Sequence, residues 1–568
     1  MNKVMNNKRD SGSDRRGIAF ASGMILILSV TLCYMTAVVA YMVGGGISAW
    51  SLPAATLMAA AVAALSLDLR DVAWALPGAL AVWALWIVAC MNLYDSSFDG
   101  VLYHMEIVAQ LYSGWNPVMD TMGIFSTEPW AQHYAKGMEM AGACVMCLTD
   151  DIQSSKAVMP VLATGLLLLL PAWTARLRPG LGVRKRWILA FLTISNPVLI
   201  CQMLRFYIDD AVYICIVLAI MSSLSLLSCG KRDISDLLIL GAAIILAAAT
   251  KPNALFFVAL ALGCIIAGAY VARRREGLLD LTIFCAVTVI LAVCIFSYHP
   301  YITNWLIKGH PLYPLMGEGA VDIMTGHTDE MFSGHNRFYN FFRSIYTVAR
   351  PTVAQGYGGF TPFFMILLPC SAAIIAICCI RRRCLGADGY AALCIFASCF
   401  IFPQSWWARY VPQVWLLVPL AVAMAYESPQ QPRLLPPLRR ITVALGLATG
   451  IFCSVTTYLG ALRFTLRQDC IYEVMEGRTI TVSAGQPQTV RMLGKHNIRC
   501  VEVPWNSLSD REKEHAADLL IAQDEWHKVM TESDQEELDS LLRSNNFYRF
   551  GVAIRRLMGK DDNIPFYN

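Results

Sequence analysis

Long apolar segments separated by short polar turns run through most of the chain. About thirteen of them approach the roughly 20 residues that cross a hydrocarbon core about 30 Å thick. This pattern predicts an α-helical polytopic membrane protein with about 13 transmembrane helices. We predict the spans at about 18–43, 48–67, 72–91, 155–176, 187–204, 209–228, 234–250, 254–271, 278–298, 362–380, 388–404, 410–426 and 440–462.

Two long polar segments, 92–154 and 299–361, interrupt the spans. The first contains a helix that we expect to begin near residue 98 and a second, apolar helix at about 134–149. If the second helix crossed the membrane, every later cluster of basic residues would move to the opposite side. We therefore predict that it lies along the membrane interface.

Basic residues give the predicted orientation, because cytoplasmic loops are enriched in lysine and arginine. The segment 1–17 is basic and is followed by a full-length span without a small-residue cleavage site, so we predict an uncleaved, cytoplasmic N-terminus. All nine histidines and the C-terminus fall in segments predicted on the outer side. The predicted location is the cytoplasmic (inner) membrane. The basic residues of the N-terminus and the cytoplasmic turns are Lys3, Lys8, Arg9, Arg15, Arg16, Arg178, Arg184, Lys185, Arg186, Lys231, Arg232, Arg273, Arg274, Arg275, Arg381, Arg382, Arg383, Arg433, Arg439 and Arg440.

The composition changes after the transmembrane part (18–462), and charged residues become frequent in 463–568. Alternating residues predict strands at Arg478–Val482 and Ile498–Val503, with a helix at 487–496 between them. We predict a small extracytoplasmic α/β domain that caps or docks onto the membrane part. Its further elements are helices near 508–530 and 533–544 and a last strand near Phe547–Ile554.

The bulk composition excludes an ordinary soluble domain. Hydrophobic residues make up 56% of the chain, charged residues 15%, and the mean hydropathy is +0.50, whereas soluble domains carry about 25% charged residues.

Most of the nineteen cysteines lie in spans, but Cys470 and Cys500 lie in the tail, where a disulfide is an option outside the cytoplasm. The absence of a Walker-type loop, a His-Glu-x-x-His motif or a Gly-x-Ser-x-Gly motif argues against a nucleotide-driven enzyme or a zinc protease. No nucleic-acid partner is expected.

The most unusual polar stretch is Tyr94–Pro117, which carries four ionisable residues within a dozen positions beside a span. In a helix from about residue 98, Asp99, Tyr103 and Glu106 would share one face, which is typical of a site. Ser96-x-x-Asp99 also fits a capping box, in which Asp99 only satisfies backbone donors at the start of the helix. Both interpretations remain open from the sequence.

Two further stretches bring ionisable residues to the predicted outer side. His133, Lys136 and Glu139 begin the second outer helix, where the lysine would either meet a lipid phosphate or extend to the membrane interface. Arg205 and the pair Asp209–Asp210 join two spans through a very short turn. Acids at membrane depth are costly and usually functional, although either acid would also serve as a helix cap.

Three later turns each add a cation or an aromatic residue on the same side. Lys251 ends a long apolar run, His310 and Tyr313 lie in a Gly/Pro-rich turn, and Arg409-Tyr410 precedes the next span. Arginine suits bidentate recognition of phosphate. The turns therefore predict an anionic group at the outer boundary of the bilayer, and a donor attached to a lipid would need no soluble nucleotide there.

Five motifs follow one another along these outer segments: SSFDGVLYHMEIVAQLYSGWNP, HYAKGMEM, SNPVLICQMLRFYIDDA, GHPLYP and RYVPQVWLL. In this order, over roughly residues 72–425, they resemble the GT-C superfamily of integral membrane glycosyltransferases. The resemblance implies a GT-C-like fold with periplasmic juxtamembrane helices. It also implies an inverting transfer of a hexose or pentose from a polyprenyl-phosphate donor to a hydroxyl of a lipid, glycan or protein acceptor.

The resemblance also implies roles for individual residues. Asp99 would be the general base that removes the acceptor proton. Asp209 or Asp210 would orient the acceptor or bind a divalent metal such as Mg or Mn. The cations expected to hold the leaving phosphate are Lys136, Arg205, Lys251 and Arg409. The other expected substrate contacts are Tyr103, His104, His133, Glu139, His310, Tyr313 and Tyr410.

Two other classes remain as alternatives. A lipid-linked glycan flippase or transporter would be expected to show internal repeats and ionisable residues near the bilayer midplane. An O-antigen ligase or polymerase would share the cations at the outer boundary, and mainly the order of the motifs argues against it.

Overall fold

The structure is a computed structural model that describes residues 16–121, 128–229, 233–274, 276–321, 332–346, 360–429, 431–517, 520–521 and 524–557. Helices dominate it. Several residues of the predicted cytoplasmic and outer segments lie outside the described residues, namely Lys3, Lys8, Arg9, Arg15, Lys231, Arg232, Arg275 and His327.

The helices of the first half of the chain are α1 Gly17–Met42, α2 Ser51–Ala63, α3 Leu69–Met91, α4 Met105–Tyr112, α5 Glu128–His133, α6 Gly137–Thr149, α7 Val158–Leu177, α8 Val183–Ile194, α9 Pro197–Gln202, α10 Asp209–Cys229, α11 Ile234–Thr250 and α12 Pro252–Val271. Those of the second half are α13 Leu278–Leu291, α14 Tyr298–Lys308, α15 Arg337–Tyr346, α16 Phe364–Arg382, α17 Gly386–Ser398, α18 Leu417–Glu427, α19 Leu435–Val474, α20 Pro487–Gly494, α21 Asp510–Glu514, α22 Glu532–Ser544 and α23 Asn546–Leu557.

Eight helical segments of the described residues are long and apolar enough to cross a membrane. Each coincides with a predicted span, so the chain is an α-helical multi-pass membrane protein. The other predicted spans fall on shorter or interrupted helices, and the total of thirteen stays a prediction. The eight segments are Gly17–Met42, Leu69–Met91, Ile152–Leu177, Asp209–Ser228, Pro252–Val271, Leu278–Phe296, Phe364–Arg382 and Leu435–Val474.

The predicted span 187–204 shows why some helices are interrupted. Asn196 has an extended backbone between α8 and α9, and its side-chain oxygen accepts from the Val198 N–H at 2.9 Å. Proline disfavours the helical conformation in the residue before it, and Pro197 instead opens the next helix. One predicted helix is therefore two.

α1 lies at the centre of the bundle, and α3 lies at its edge. α1 is apolar all round and 72% buried, and it packs against α2, α3, α6, α7 and α11. The apolar helix α3 is only 22% buried and leaves large side chains such as Trp74 and Leu85 exposed. A helix this apolar with so much uncovered surface is suited to lipid rather than water.

Charged side chains at one end of the bundle form buried ion pairs. Asp236 is fully buried and accepts from Arg16 at 2.9 Å and from Arg176 at 3.0 Å. Arg178 pairs with Asp388 in the same way. Each buried acid is thereby compensated by a cation, as burial requires. Arg16 and Arg178 belong to the segments predicted to be cytoplasmic.

The second outer helix differs from its prediction. It is α6, which begins three residues later than predicted because Tyr134–Lys136 are not helical. α6 has 13 residues, shorter than a span, and its side chains from Met138 to Met146 are buried against α1, α4 and the 3₁₀ turn Ile152–Ala157. α6 is thus covered by the chain itself rather than lying on its surface.

The tail continues from α19, which extends 40 residues to Val474. β1 (Thr479–Ser483) and β2 (Arg499–Val503) pair in parallel, Thr479 opposite Arg499, and α20 makes the crossover between them. This confirms the strand–helix–strand prediction within a residue or two. In the described part of 508–530 the helix is limited to short pieces around α21.

One prediction for the tail is wrong, and one option that the sequence left open is not realised. Phe547–Ile554 lies in helix α23 rather than in a strand, because Asn545 accepts from the N–H groups of Phe547 and Tyr548 (both 3.0 Å) and so starts a helix. Cys470 and Cys500 are free thiols rather than a disulfide.

Candidate functional site

A tight turn before Asp99 sets the position of that residue. The Asp95 carboxylate is buried and accepts from the Ser97 N–H (2.9 Å), the Ser97 hydroxyl (2.8 Å) and the Phe206 N–H (3.0 Å). The last bond ties this turn to the segment that leads into Asp209. A Cβ on Gly100 would lie 2.1 Å from Ser97 Oγ and 2.2 Å from Asp95 Oδ2, so only glycine fits there.

We predict that Gly100→Ala destabilises the protein by about 1–3 kcal/mol, because the added methyl group overpacks the Asp95 turn. Thermal unfolding of the purified variant measures the loss. Gly263→Ala is the matched control, since a Cβ there meets nothing within 4 Å and alanine favours a helix. Equal unfolding temperatures for the two variants would contradict the prediction.

The helix that carries Asp99 begins at Phe98, as predicted, but its first turns have an unexpected form. Gly100–His104 is a π-helical turn that leads into α4, and π turns occur frequently at functional sites. The Asp99 carboxylate makes no capping hydrogen bond; it accepts from Arg409 Nη1 at 3.0 Å and is 24% exposed. Of the two interpretations of Asp99, the capping box is therefore wrong.

Arg409 is buried at the centre of the site. Its guanidinium lies 5.1–5.6 Å from the ring centres of Tyr207, Trp407 and Tyr410, and Nη2 donates to the Tyr410 hydroxyl at 3.3 Å. Three aromatic rings around a guanidinium compensate part of its lost hydration through cation–π attraction. The same Nη1 that contacts Asp99 lies 4.0 Å from Asp209.

Asp209 extends this arrangement into a row of alternating charges. Its carboxylate is fully buried and accepts from Lys251 Nζ at 2.7 Å and from Gln202 Nε2 at 3.2 Å. Asp99, Arg409, Asp209 and Lys251, in that order, form what we call the charge row. The row brings together four turns separated by up to 310 residues in the chain.

Asp210 has a different role from Asp209. Its Oδ1 accepts from the Ala211 N–H at 2.8 Å at the start of α10, and its own N–H donates to Gln202 Oε1 at 3.2 Å. The two acids thus divide the roles considered for them: Asp209 pairs with cations, and Asp210 serves the start of the helix.

Three buried polar atoms around the charge row have no hydrogen-bond partner in the part of the chain that the structure describes: Tyr207 Oη, Arg409 Nε and Asp210 Oδ2. Buried polar atoms are almost always paired in folded proteins. Atoms without a partner beside a carboxylate that solvent reaches are suited to a polar ligand or to water.

The donor set does not suit a divalent metal. Both oxygens of Asp209 already accept hydrogen bonds, one of them from a lysine, and Arg409 lies beside it. Hard divalent cations prefer several anionic or neutral oxygens free of cationic neighbours. No group of three or more His, Cys, Asp or Glu among the described residues is arranged to hold a metal ion.

A second cluster lies around Lys136, which is 3% exposed. Its Nζ donates to the carbonyls of Gln132 (2.9 Å) and Tyr134 (2.7 Å) and lies 3.0 Å from His299 Nε2. Burial lowers the pKa of Lys136 to about 7. Burial and the nearby lysine also lower the pKa of His299 well below its usual range.

We predict that protein stability rises with pH above about 7 through Lys136. Its pKa is lower in the folded state than in the unfolded state, so the unfolded chain binds more protons between about pH 7 and 10.5. The rise is at most about 1.4 kcal/mol per pH unit in that window. Unfolding temperatures of wild type and Lys136→Met across pH 7–10 measure it, with Lys308→Met as the control. Parallel curves for wild type and Lys136→Met would contradict it.

His133, His310 and Tyr313 lie near this second cluster rather than in the charge row. His133 Nδ1 lies 2.7 Å from Asn304 Oδ1, and its ring packs edge-on against Tyr313 at 4.8 Å. Asn304 also donates to the Tyr313 carbonyl at 2.9 Å. His310 accepts from the Leu312 N–H at 3.1 Å within its own turn. These contacts join the turn after α5 to α14 and the turn that follows it.

His104 and Glu139 form a buried pair. His104 Nδ1 lies 2.5 Å from Glu139 Oε1, and the other polar atoms, His104 Nε2 and Glu139 Oε2, have no partner among the described residues. Tyr103 packs on His104 at 4.2 Å and edge-on to Tyr134 at 6.2 Å. The Tyr103 ring therefore lies between the Asp99 helix and the Lys136 turn, and burial and Asp99 raise its pKa.

Arg205 is the predicted cation that neither cluster includes. It is half-buried in the turn between α9 and α10, and its side chain makes no hydrogen bond or ion pair with the described parts of the chain. Only its N–H is engaged, by the Gln202 carbonyl at 2.8 Å. Of the predicted site residues, the structure thus unites Asp99, Asp209, Asp210, Lys251, Arg409 and Tyr410.

Four residues that build the site were not predicted from the sequence: Asp95, Gln202, Tyr207 and His299. Asp95 lies in the polar stretch Tyr94–Pro117, and Tyr207 lies in the third of the five motifs. No spacing rule shows that Asp95 bonds to the Phe206 N–H or that Tyr207 packs on Arg409. Gln202 lies at the end of an apolar helix, where nothing in the sequence distinguishes it.

No known protein family matches the chain, and no curated protein matches it.

Proposed function

We propose that this chain is a membrane-embedded glycosyltransferase with a GT-C-like fold of about thirteen spans. It would transfer a sugar from a polyprenyl-phosphate donor to a hydroxyl of an acceptor. The observation that carries the proposal is the charge row: a carboxylate that solvent reaches, Asp99, paired with a buried arginine and surrounded by polar atoms without partners.

The transfer needs two opposite charges at one place. Asp99 removes the proton of the acceptor hydroxyl as its oxygen attacks the anomeric carbon. The bond between that carbon and the phosphate oxygen breaks, and the electron pair leaves with the phosphate. Arg409 then stabilises the added negative charge on the departing lipid phosphate.

The ion pair between Asp99 and Arg409 suggests how donor binding frees the Asp99 carboxylate to act as the base. A phosphate that binds Arg409 competes with the Asp99 carboxylate for Nη1. Asp99 would then exchange its arginine partner for the acceptor hydroxyl. Asp209 and Lys251 keep Arg409 in position meanwhile, because Asp209 contacts both cations.

Arg205 is the best placed cation for a second contact to the phosphate. It lies in the same turn as Asp209 and is half-buried without an ion-pair partner among the described residues. Lys136, in contrast, is enclosed by two carbonyls and His299. We therefore assign Lys136 a structural role in joining the two outer segments.

We also propose that the Asp99 end of the bundle faces the extracytoplasmic side of the cytoplasmic membrane, together with the C-terminal domain. Half-buried arginines of the predicted cytoplasmic segments, Arg16 and Arg178, pair with acids at one end of the bundle. Basic residues are enriched on the cytoplasmic side under the positive-inside rule, so this end of the bundle faces the cytoplasm and the Asp99 end faces the opposite side.

Membranes that contain the wild-type chain test the proposal with a panel of radiolabelled polyprenyl-phosphate sugars. We expect transfer of label from at least one donor to a new product. Movement of the labelled lipid across the bilayer without any new product would contradict the proposal and favour the flippase. Transfer only from diphosphate-linked glycans would favour a ligase or polymerase.

A further inference from the structure

A cavity of about 250 Å³ lies between the tail and the membrane part, separate from the charge row. Its walls come from helix α20 with the turn that follows it, from the C-terminal third of α19 and from the turns after α3 and α6. The side chains that matter for its chemistry are Asn92, Tyr94, Gln153, Asp469, Gln488 and Lys495. The cavity is slightly below the usual range for drug-sized ligands, so it suits a ligand of about one ring.

The side chain of Gln488 indicates that the cavity binds a polar ligand. Its side chain is 2% exposed and lines the cavity, and its Oε1 has no hydrogen-bond partner among the described residues. Its Nε2 donates to Thr489 at 3.1 Å, so the amide orientation leaves the oxygen as the free group. A buried amide oxygen of this kind needs a donor.

Donors and acceptors alternate around the rest of the lining. Gln153 Oε1 accepts from the Asp95 N–H at 3.1 Å, which leaves the Gln153 amino group for an occupant. Asp469 offers an exposed carboxylate, and Asn92 contributes an exposed amide. A ligand that satisfies this set must both donate and accept, as a hydroxyl group does.

The cations of the lining are already paired, and Asp469 adds a negative charge without an ion-pair partner among the described residues. Lys495 Nζ lies 3.3 Å from Asp151 Oδ2, and Arg491 pairs with Asp150. The cations therefore leave no net positive charge for an anion. This balance favours a neutral ligand over a phosphate.

One wall of the cavity is aromatic. The Tyr94 ring packs edge-on to Tyr472 at 5.9 Å, and the Tyr94 hydroxyl lies 3.3 Å from His496 Nε2. Tyrosine presents an apolar ring and a polar tip, which suits a ligand with both C–H faces and hydroxyl groups.

We propose that this cavity binds one neutral saccharide unit. Gln488 and Asp469 accept hydrogen bonds from its hydroxyls, Gln153 donates to them, and Tyr94 packs against a C–H face. The proposal does not depend on the transfer reaction. Gln153 nevertheless connects the two sites, because it bonds to Asp95, the residue that fixes the turn before Asp99.

Saturation-transfer NMR on the full chain in detergent tests the proposal with glucose, galactose, mannose and N-acetylglucosamine. We expect at least one sugar to bind, and we expect about tenfold weaker binding in Gln488→Leu and in Asp469→Asn. Gln535→Leu, on the exposed face of α22, is the matched control and should bind as wild type does. Asp99→Asn should also leave binding unchanged, which separates this cavity from the charge row.

Several outcomes would overturn the proposal. Binding of no sugar would do so, as would sugar binding that is unaffected in both cavity variants or lost in Asp99→Asn. Binding of inorganic phosphate that Lys495→Met weakens and that sugars do not displace would assign the cavity to an anion. Because Asp469 is exposed, its variant keeps the test decisive if Gln488→Leu fails to fold.

Discussion

Arg409→Met is expected to destabilise the protein by about 3–5 kcal/mol and to abolish sugar transfer. The substitution leaves Asp99 without its partner and removes one of two cations beside the fully buried Asp209. Removing one member of a buried ion pair costs this much because the remaining charge stays out of water without compensation. Three aromatic rings also lose their cation.

Unfolding in mixed micelles measures the loss for Arg409→Met. The matched control is Arg337→Met, because Arg337 donates to the Phe400 carbonyl at 2.6 Å and pairs with no carboxylate of the described residues. We expect the control to lose about 1 kcal/mol. Arg409→Lys should recover part of the stability but little transfer, since a lysine cannot reproduce the planar fork. If Arg409→Met and Arg337→Met lose the same amount, the charge row is not a stabilising unit.

Asp209 and Lys251 are expected to be strongly coupled in a double-mutant cycle. Lys251→Met leaves a fully buried carboxylate with Gln202 and an arginine 4.0 Å away, and Asp209→Asn leaves Lys251 without its acid. Each single variant should lose about 3 kcal/mol, and the double variant should lose little more than one single variant. The coupling energy would then be about 2–3 kcal/mol.

The same unfolding assay provides the four free energies of the cycle. Lys495 and Asp151, an ion pair with 48% and 24% exposed side chains, form the matched control pair. Exposed pairs contribute about 1 kcal/mol or less. Additive losses at Asp209 and Lys251 would show that the two residues do not compensate each other.

Sequence patterns predicted the fold well where one element decides its own structure. The eight long apolar helices could be read from length and hydropathy, since each of them alone satisfies the demand of a bilayer. β1 and β2 could be read from their alternation. Phe547–Ile554 was misassigned because its apolar residues fit either period, and the Asn545 cap that decides between them acts through backbone geometry.

The candidate site was predictable only in part, because its side chains come from several elements rather than from one. Turns at one end of a helical bundle necessarily lie near one another, so Asp99, Asp209, Lys251 and Arg409 could be grouped from the order of spans. The pairing within the group could not, because it depends on how α10 and the 408–410 turn pack. Lys136 illustrates the limit: it belongs to the same end but packs against His299 instead.

The role of Asp99 was ambiguous in the sequence because its ion-pair partner is distant along the chain. A helix start with Ser96 and Asp99 is indistinguishable from a capping box until the partner of the carboxylate is known. That partner, Arg409, lies 310 residues away. The Asp95 turn and Gly100 then fix the carboxylate toward the arginine rather than toward the backbone.

The decisive measurement is the single-turnover rate of sugar transfer by Asp99→Asn in membranes, with the donor that wild type uses. We expect the rate to fall by about 10²–10⁴-fold, because the amide cannot accept the acceptor proton. The variant should still fold, because Arg409 keeps Asp209 as a partner. The matched control is Asp120→Asn, an exposed acid of the same outer segment, which should transfer at the wild-type rate. An unchanged rate in Asp99→Asn would contradict the assignment of Asp99 as the base and with it the proposed mechanism.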